Sequence, residues 1–351
     1  MNKRRFVVVS IAIILLLCGC ADAAVLQKAT DVPSATISAT LMQTLMPASS
    51  PSSTQQPTVS PDFEPSSAPD PKASTMWGAK FPEMFTDGGI IKNDKSVAPT
   101  INALSPRFQK CETEVVKTYK SAHVNITVNK VKENGITYYV ADIYIADLKY
   151  FISPFSGGGY KKGVRKFVYD IARENGAVLA INGDYCANNP GPVLRDGVLY
   201  RNEVKLDILV MFKDGVMKTY TKDEYDKNFL ESIKDDVWQI WTFGPRLLIE
   251  GEKPSEFNSP KKSIMGANPR TAVGYYEPGH YVFVVVDGRQ PGYSDPGFTM
   301  EELSQLMHDL GCKEAYNLDG GGTSQMAFMG KWVNRPSVHR KTRDALCIVD
   351  S

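Results

Sequence analysis

Asn317-Leu318-Asp319-Gly320-Gly321-Gly322-Thr323-Ser324 concentrates more unusual chemistry than any other stretch of this 351-residue chain. Three consecutive glycines are costly to order, because glycine loses more backbone entropy on folding than any other residue. Inside a folded domain such a run needs a conformational reason, either a positive φ or close approach of the main chain to a ligand. Ala315, Tyr316 and Leu318 precede it and Met326, Ala327 and Phe328 follow. The pattern predicts a buried strand, a tight glycine turn and a second strand. That geometry can offer backbone N–H groups, Asp319, Thr323 and Ser324 to one small polar group. A plain hairpin turn uses the same residues, and the stretch alone fits both.

The flanking sequence is rich in strands. Residues 281–286 (YVFVVV) form the clearest central strand and stop at Asp287-Gly288-Arg289. Thr299 with Glu302 makes a capping box, and Met300, Leu303, Leu306, Met307 and Leu310 mark one face of a helix closed by Gly311. His308 falls among that helix's polar positions and is expected in solvent. Arg270 stands before an apolar run, and Arg340, Arg343 and Asp344 precede a final strand over 345–349. Earlier, residues 136–148 (ITYYVADIYIADL) are apolar on both alternating faces, as in a strand covered on both sides. Val164, Phe167, Val168 and Ile171 give a helical period over 164–175. A short strand over 177–181 ends in Asn182-Gly183-Asp184-Tyr185-Cys186, where polar residues sit on a rigid support or simply turn the chain. Gly158 and Gly163 have P-loop spacing, but Val164 stands where the phosphate-binding lysine must be, so that reading fails. Strands outnumber helices and several connections read as hairpins. The expected fold is α+β, a strand-rich mixed sheet core with a few packed helices in a single catalytic domain over 111–351.

Charge is balanced, 40 Lys and Arg against 39 Asp and Glu, which gives no reason to expect a nucleic-acid partner and makes any anion recognition local. Lys3, Arg4 and Arg5 precede an apolar stretch over 6–17 that is short for a membrane span and reads as an export signal. Leu17-Cys18-Gly19-Cys20 resembles a lipobox, with Cys20 as the lipidated residue; cleavage near Ala24 is the alternative. Residues 21–75, dominated by Ser, Thr, Pro and Ala, read as a disordered tether, and 76–110 as a poorly defined lead-in. The expected location is outside the cell membrane, lipid-anchored or secreted. Cys111, Cys186, Cys312 and Cys347 match no zinc spacing, and an exported compartment permits disulfides in any of three pairings.

Singly these motifs are weak, but their order is specific. Asn182-Gly183-Asp184-Tyr185, Gly244-Pro245-Arg246-Leu247, Arg270-Thr271-Ala272-Val273-Gly274, Asp287-Gly288-Arg289, Gly297-Phe298-Thr299 and the stretch 317–324 together resemble the phosphodiester glycosidase family over roughly 164–351. The resemblance implies hydrolysis between a sugar's anomeric carbon and a phosphate that is itself esterified, as in an N-acetylglucosamine-1-phosphodiester of an envelope glycan or exopolysaccharide. Thr323 stands where many members have serine, which keeps the hydroxyl. Cys186 stands where an aromatic is common, which leaves the pocket shape open.

A phosphomonoester is a weaker base than a sugar alkoxide, so it departs with less protonation if its charge is stabilised. Catalytic weight then moves to preorganised cations and N–H donors. Arg270, Arg289 and Arg343 are the expected phosphate clamp, aided by the backbone of Gly320, Gly321 and Gly322 and by Thr323 and Ser324. Asn182 and Gly183 are expected to bind substrate or fix the loop. Asp287 and Asp319, then Asp184, are the acid/base candidates: burial raises such carboxyl pKa values and a nearby arginine lowers them. At least one of the three is expected only to orient an arginine or a glycine turn. No cofactor is required; the aspartates could hold a divalent metal, although no ligand spacing demands one. Two rival functions are a non-catalytic envelope-glycan binding lipoprotein and a phosphodiesterase cleaving the P–O bond.

Overall fold

The computed structural model describes residues 106–351 apart from 161–162, 187, 258, 260–261 and 293. The export signal with Cys20, the tether over 21–75 and the lead-in up to residue 105 lie outside the described residues. In chain order the strands are β1 (Glu112–Lys120), β2 (Val124–Glu133), β3 (Ile136–Ile145), β4 (Phe151–Ile152), β5 (Ala177–Asn182), β6 (Val193–Arg195), β7 (Val198–Arg201), β8 (Ile208–Phe212) and β9 (Met217–Tyr220). They continue as β10 (Val237–Trp241), β11 (Arg246–Leu248), β12 (Arg270–Glu277), β13 (His280–Val286), β14 (Glu314–Asn317), β15 (Met326–Phe328), β16 (Lys331–Trp332) and β17 (Ala345–Val349). Among the described residues three α-helices accompany them: α1 (Val168–Glu174), α2 (Lys227–Ile233) and α3 (Met300–Asp309).

The strands form one seven-stranded sheet, β1-β2-β3-β13-β12-β14-β11, and two five-stranded sheets, β7-β6-β10-β8-β9 and β16-β15-β5-β17-β4. The α+β reading is correct, and the pairings between the described strands are antiparallel.

All seven residues of β13 are buried, which explains its unbroken apolar run. Tyr281, Phe283 and Val285 point into the core shared with β5, β15 and β17; Val282, Val284 and Val286 point under α3 with Leu303, Leu306 and Met307. Each such side chain contributes about 1.5–3 kcal/mol relative to exposure. The capping box of α3 is complete: the Glu302 N–H donates to Thr299 Oγ1 at 3.2 Å, and the Thr299 N–H donates to the Glu302 carboxylate at 2.8 Å. His308 is exposed, as its helical position predicts.

The helix expected over 164–175 is shorter, and α1 starts only at Val168. Lys166 and Thr342 exchange backbone hydrogen bonds of 3.0 and 2.8 Å, which holds the preceding residues extended against a distant segment. The glycine stretch also departs from a hairpin. β14 belongs to the seven-stranded sheet and β15 to the third sheet, so residues 318–325 carry the chain from one sheet to the other.

Candidate active site

Antiparallel register brings several motif ends to the seam between these two sheets. Arg270 opens β12 opposite Val286, the last residue of β13, so Asp287 and Arg270 share one end of the sheet, and Asn317 pairs with Ala272 beside them. On the third sheet Asn182 ends β5 opposite Ala345, next to Met326 opposite Ile181.

Asn182 joins the two sheets. Its side chain is fully buried and its hydrogen-bonding capacity is taken up inside the protein. Nδ2 donates to the Asp319 carbonyl at 2.7 Å, while Oδ1 accepts from Thr271 Oγ1 at 2.8 Å and from the Gln325 N–H at 3.1 Å. Asn182 therefore fixes the start and end of the glycine loop and leaves no donor for a ligand.

Within that loop Gly321 has φ +66°, and residues 321–323 make one 3₁₀ turn. The Gly320 N–H donates to Asp319 Oδ1 at 3.0 Å and the Gly321 N–H to the Pro269 carbonyl at 2.8 Å, so these two amides serve the loop itself. Thr323 Oγ1 donates to the Gly320 carbonyl at 2.6 Å. Ser324 Oγ is buried with no partner among the described residues. Two exposed guanidinium groups flank the glycines. A Cβ built on Gly321 would lie 3.9 Å from Arg289 Nη1, and one on Gly322 would lie 3.2 Å from Arg340 Cζ. Arg289 is anchored by Asn268 Oδ1.

Asp319 begins the loop. Burial pushes its carboxyl up to about 6, and its bonds within the loop and the charge of Arg340 pull the other way. Asp287 is also held at about 6, again chiefly by burial. Its Oδ1 accepts from Asn334 Nδ2 at 2.8 Å and its Oδ2 from the Arg335 N–H at 3.3 Å. Asn334 Nδ2 donates as well to the Ser324 carbonyl at 3.0 Å, and its Oδ1 accepts from the Met326 N–H at 2.8 Å. Asp287 is thus tied through one amide to the exit of the glycine loop.

Arg270 donates to the carbonyls of Phe298, Ile264 and Gly266. Burial and then the nearby Arg289 lower its pKa to about 10. Arg343 differs: it is only 8% exposed, its guanidinium lies 5.9 Å from the Tyr185 ring centroid, and its Nε and Nη1 have no partner among the described residues. A buried cation with two unused donors favours an anion beside it.

Asp184 faces inward. Its Oδ1 accepts from Arg195 Nη2 at 2.9 Å and its Oδ2 from the Thr242 N–H at 2.6 Å. Asp344 shares the same Arg195 Nη2 at 3.1 Å and accepts from the Asp184 and Tyr185 N–H groups. All three side chains are buried, and burial together with the neighbouring Asp184 pushes the Asp344 carboxyl well above the usual range. Gly183 is required here because a Cβ would overlap the Asp344 carboxylate. Asp184, Cys186 and Asp344 bring their donor atoms within 4.8 Å of one another, a cluster that could hold a metal by distance alone. Arg195 and backbone N–H groups donate to the carboxylate oxygens of this cluster. Cys111, Cys186, Cys312 and Cys347 form no disulfide among the described residues, and burial raises the Cys186 thiol pKa, which suits packing rather than nucleophilic attack.

Arg195, Gln325 and Asn334 serve this region and carry no sequence motif, while Thr271, Arg340 and Asp344 stand within or beside motifs but were given no role from sequence. Asp344 beside Arg343 before a strand was a usable signal. Arg195 lies in a three-residue strand with no motif around it.

The phosphodiester glycosidase family profile matches residues 175–349. The SPbeta prophage-derived protein YomE of Bacillus subtilis is 31% identical over 194 residues, covering 52% of this chain and 30% of its own. The mouse N-acetylglucosamine-1-phosphodiester alpha-N-acetylglucosaminidase is 26% identical over 203 residues, covering 54% of this chain and 39% of its own. The chain thus spans well under half the length of these curated relatives. The catalytic domain of the zebrafish enzyme of that name, auto-inhibited by its pro-peptide, superposes with a TM-score of 0.54 at 19% identity over 72% of this chain and 92% of that one, a likeness of fold. With the profile running from the C-terminal end of α1 to the last strand, this chain belongs to the phosphodiester glycosidase family.

Proposed function

We propose that the protein hydrolyses the bond between an anomeric carbon and a phosphodiester, releasing free sugar and a phosphomonoester. One observation carries this reading: Asp319, with its carboxyl at about 6, opens a glycine loop whose edges lie beside the guanidinium groups of Arg289 and Arg340. The arginines would neutralise phosphate charge as the C–O bond breaks, which lowers the need for a strong acid at the leaving oxygen. Above about pH 6 Asp319 is ionised and would take a proton from the attacking water. Arg343 has two donors left for a phosphate oxygen, and Asp287 positions Asn334 at the loop exit. In an exported, lipid-anchored or secreted protein the substrate would be an envelope or exopolysaccharide glycan bearing such a linkage, with N-acetylglucosamine as the sugar to try first.

Hydrolysis of N-acetylglucosamine-1-phosphodiester in water enriched in heavy oxygen tests the reaction. C–O cleavage puts the label in the sugar. Label in the phosphate would overturn the proposal in favour of a phosphodiesterase, and recovery of unaltered ligand would favour a binding protein.

A further inference from the structure

Immediately beyond Asp287 the surface opens into a groove of about 370 Å³, between residues 290–291 on one side and residues 332–339 on the other. That volume falls within the range of small-molecule sites, roughly 300–1,000 Å³. The chemistry of its walls narrows the occupant. Its lining holds Trp332, His339 and Pro291 as flat surfaces, Pro336 and Val338 as further apolar groups, Gln290, Asn334 and Ser337 as uncharged hydrogen-bonding groups and Arg335 as a cationic donor, with no carboxylate. A wall without carboxylates does not select a cation. Apolar faces interleaved with amides and a hydroxyl suit a pyranose, whose C–H face packs on rings while its hydroxyls need donors and acceptors.

The aromatic wall is built rather than incidental. The Trp332 and His339 rings lie 4.3 Å apart by centroid, and Trp332 meets Tyr169 edge-on at 5.0 Å and Phe167 at 6.0 Å. The rings of Phe167, Tyr169 and Trp332 are each only half-buried. The indole N–H of Trp332 has no partner among the described residues.

The groove is also continuous with the glycine loop. Asn334 reaches from its wall to both Asp287 and the Ser324 carbonyl, and Gln290 donates to the Arg335 carbonyl. Farther along the same segment Val338 packs where a Gly322 side chain would stand, and the Arg340 carbonyl accepts from Gln325 Nε2. One strap therefore forms the groove on one side and roofs the glycine loop on the other.

We propose that this groove is a saccharide subsite that takes a pyranose unit next to the one whose bond is cut. The inference rests on the hydrolytic reading above and specifies its substrate class: a phosphodiester-linked glycan rather than an isolated sugar phosphate.

Binding of uncleavable saccharides tests the groove without turnover. The probes are the tetramers of β-1,4-linked N-acetylglucosamine, β-1,4-linked glucose and α-1,4-linked glucose, read by intrinsic tryptophan fluorescence and calorimetry on the full chain. At least one tetramer is expected to bind, with affinity falling at least about tenfold in Trp332→Ala or in His339→Ala. His339 is exposed, so its removal keeps the fold testable if Trp332→Ala does not fold. No binding by any of the three tetramers, or binding unchanged in both variants, overturns the proposal. Cleavage of a small phosphodiester by the wild-type chain is measured in parallel. Cleavage without saccharide binding removes the groove alone, whereas groove-dependent binding without cleavage removes the hydrolytic reading alone.

Discussion

Asp319 and Asp287 reach similar pKa values of about 6 in different settings, and the settings divide their roles. Asp287 has both oxygens occupied by Asn334 and Arg335, so its carboxyl holds other groups in place. Asp319 accepts from Gly320 within its own loop and faces the charge of Arg340, where a substrate phosphate would lie. If Asp319 is the base, it works ionised, so kcat/KM should climb as pH rises through about 6 and level off above it. Asp319→Asn is expected to reduce kcat at least about hundredfold and to abolish that limb. A variant that keeps the wild-type pH profile would assign the limb to another group. Asp184 illustrates the alternative fate of a strand-end aspartate: ion-paired to Arg195 and fully buried, it organises a turn.

The turn after β5 and the loop after β14 work as elements because glycine occurs where a neighbour has taken the space of a side chain. Gly183 has no unusual φ, so its requirement comes wholly from Asp344, whose carboxylate is pinned by Arg195 and two backbone N–H groups and cannot move aside. Gly183→Ala should destabilise the fold by about 3 kcal/mol, the upper end for overpacking. Gly266→Ala, where a Cβ meets nothing within 4 Å, is the matched control and should be near neutral. Urea melts of the two variants check this, and equal midpoints would show that the Asp344 cluster yields. The sequence of these elements was readable where period and punctuation agreed, as in α3 with its capping box. It was misread where a distant segment intervened: Thr342 draws Lys166 into an extended bridge and delays α1 to Val168.

For the whole molecule, function depends on two sheets meeting at one edge, and Asn182 is the polar link across it. Removing its side chain leaves the Thr271 hydroxyl, the Gln325 N–H and the Asp319 carbonyl without their present partner in a buried place, each costing about 1–3 kcal/mol. Asn182→Ala is therefore expected to lower unfolding free energy by at least about 3 kcal/mol, and to loosen the glycine loop before the rest, seen as faster amide exchange at residues 319–325. Stability within about 0.5 kcal/mol of wild type would mean that the apolar core alone holds the sheets together. By itself the sequence determined the strand-rich α+β class, the helix and cap of α3, the order of the motifs and the family, because these follow from local periodicity, turn chemistry and residue type. Tertiary structure alone decided that the glycine loop crosses between sheets, that Arg270 is spent on carbonyls while Arg340 reaches the loop, and that Asp184 is buried against Arg195. Those outcomes depend on which side chains antiparallel register and sheet packing bring together from positions up to 160 residues apart, as with Asp184 and Asp344, and no local pattern encodes that distance.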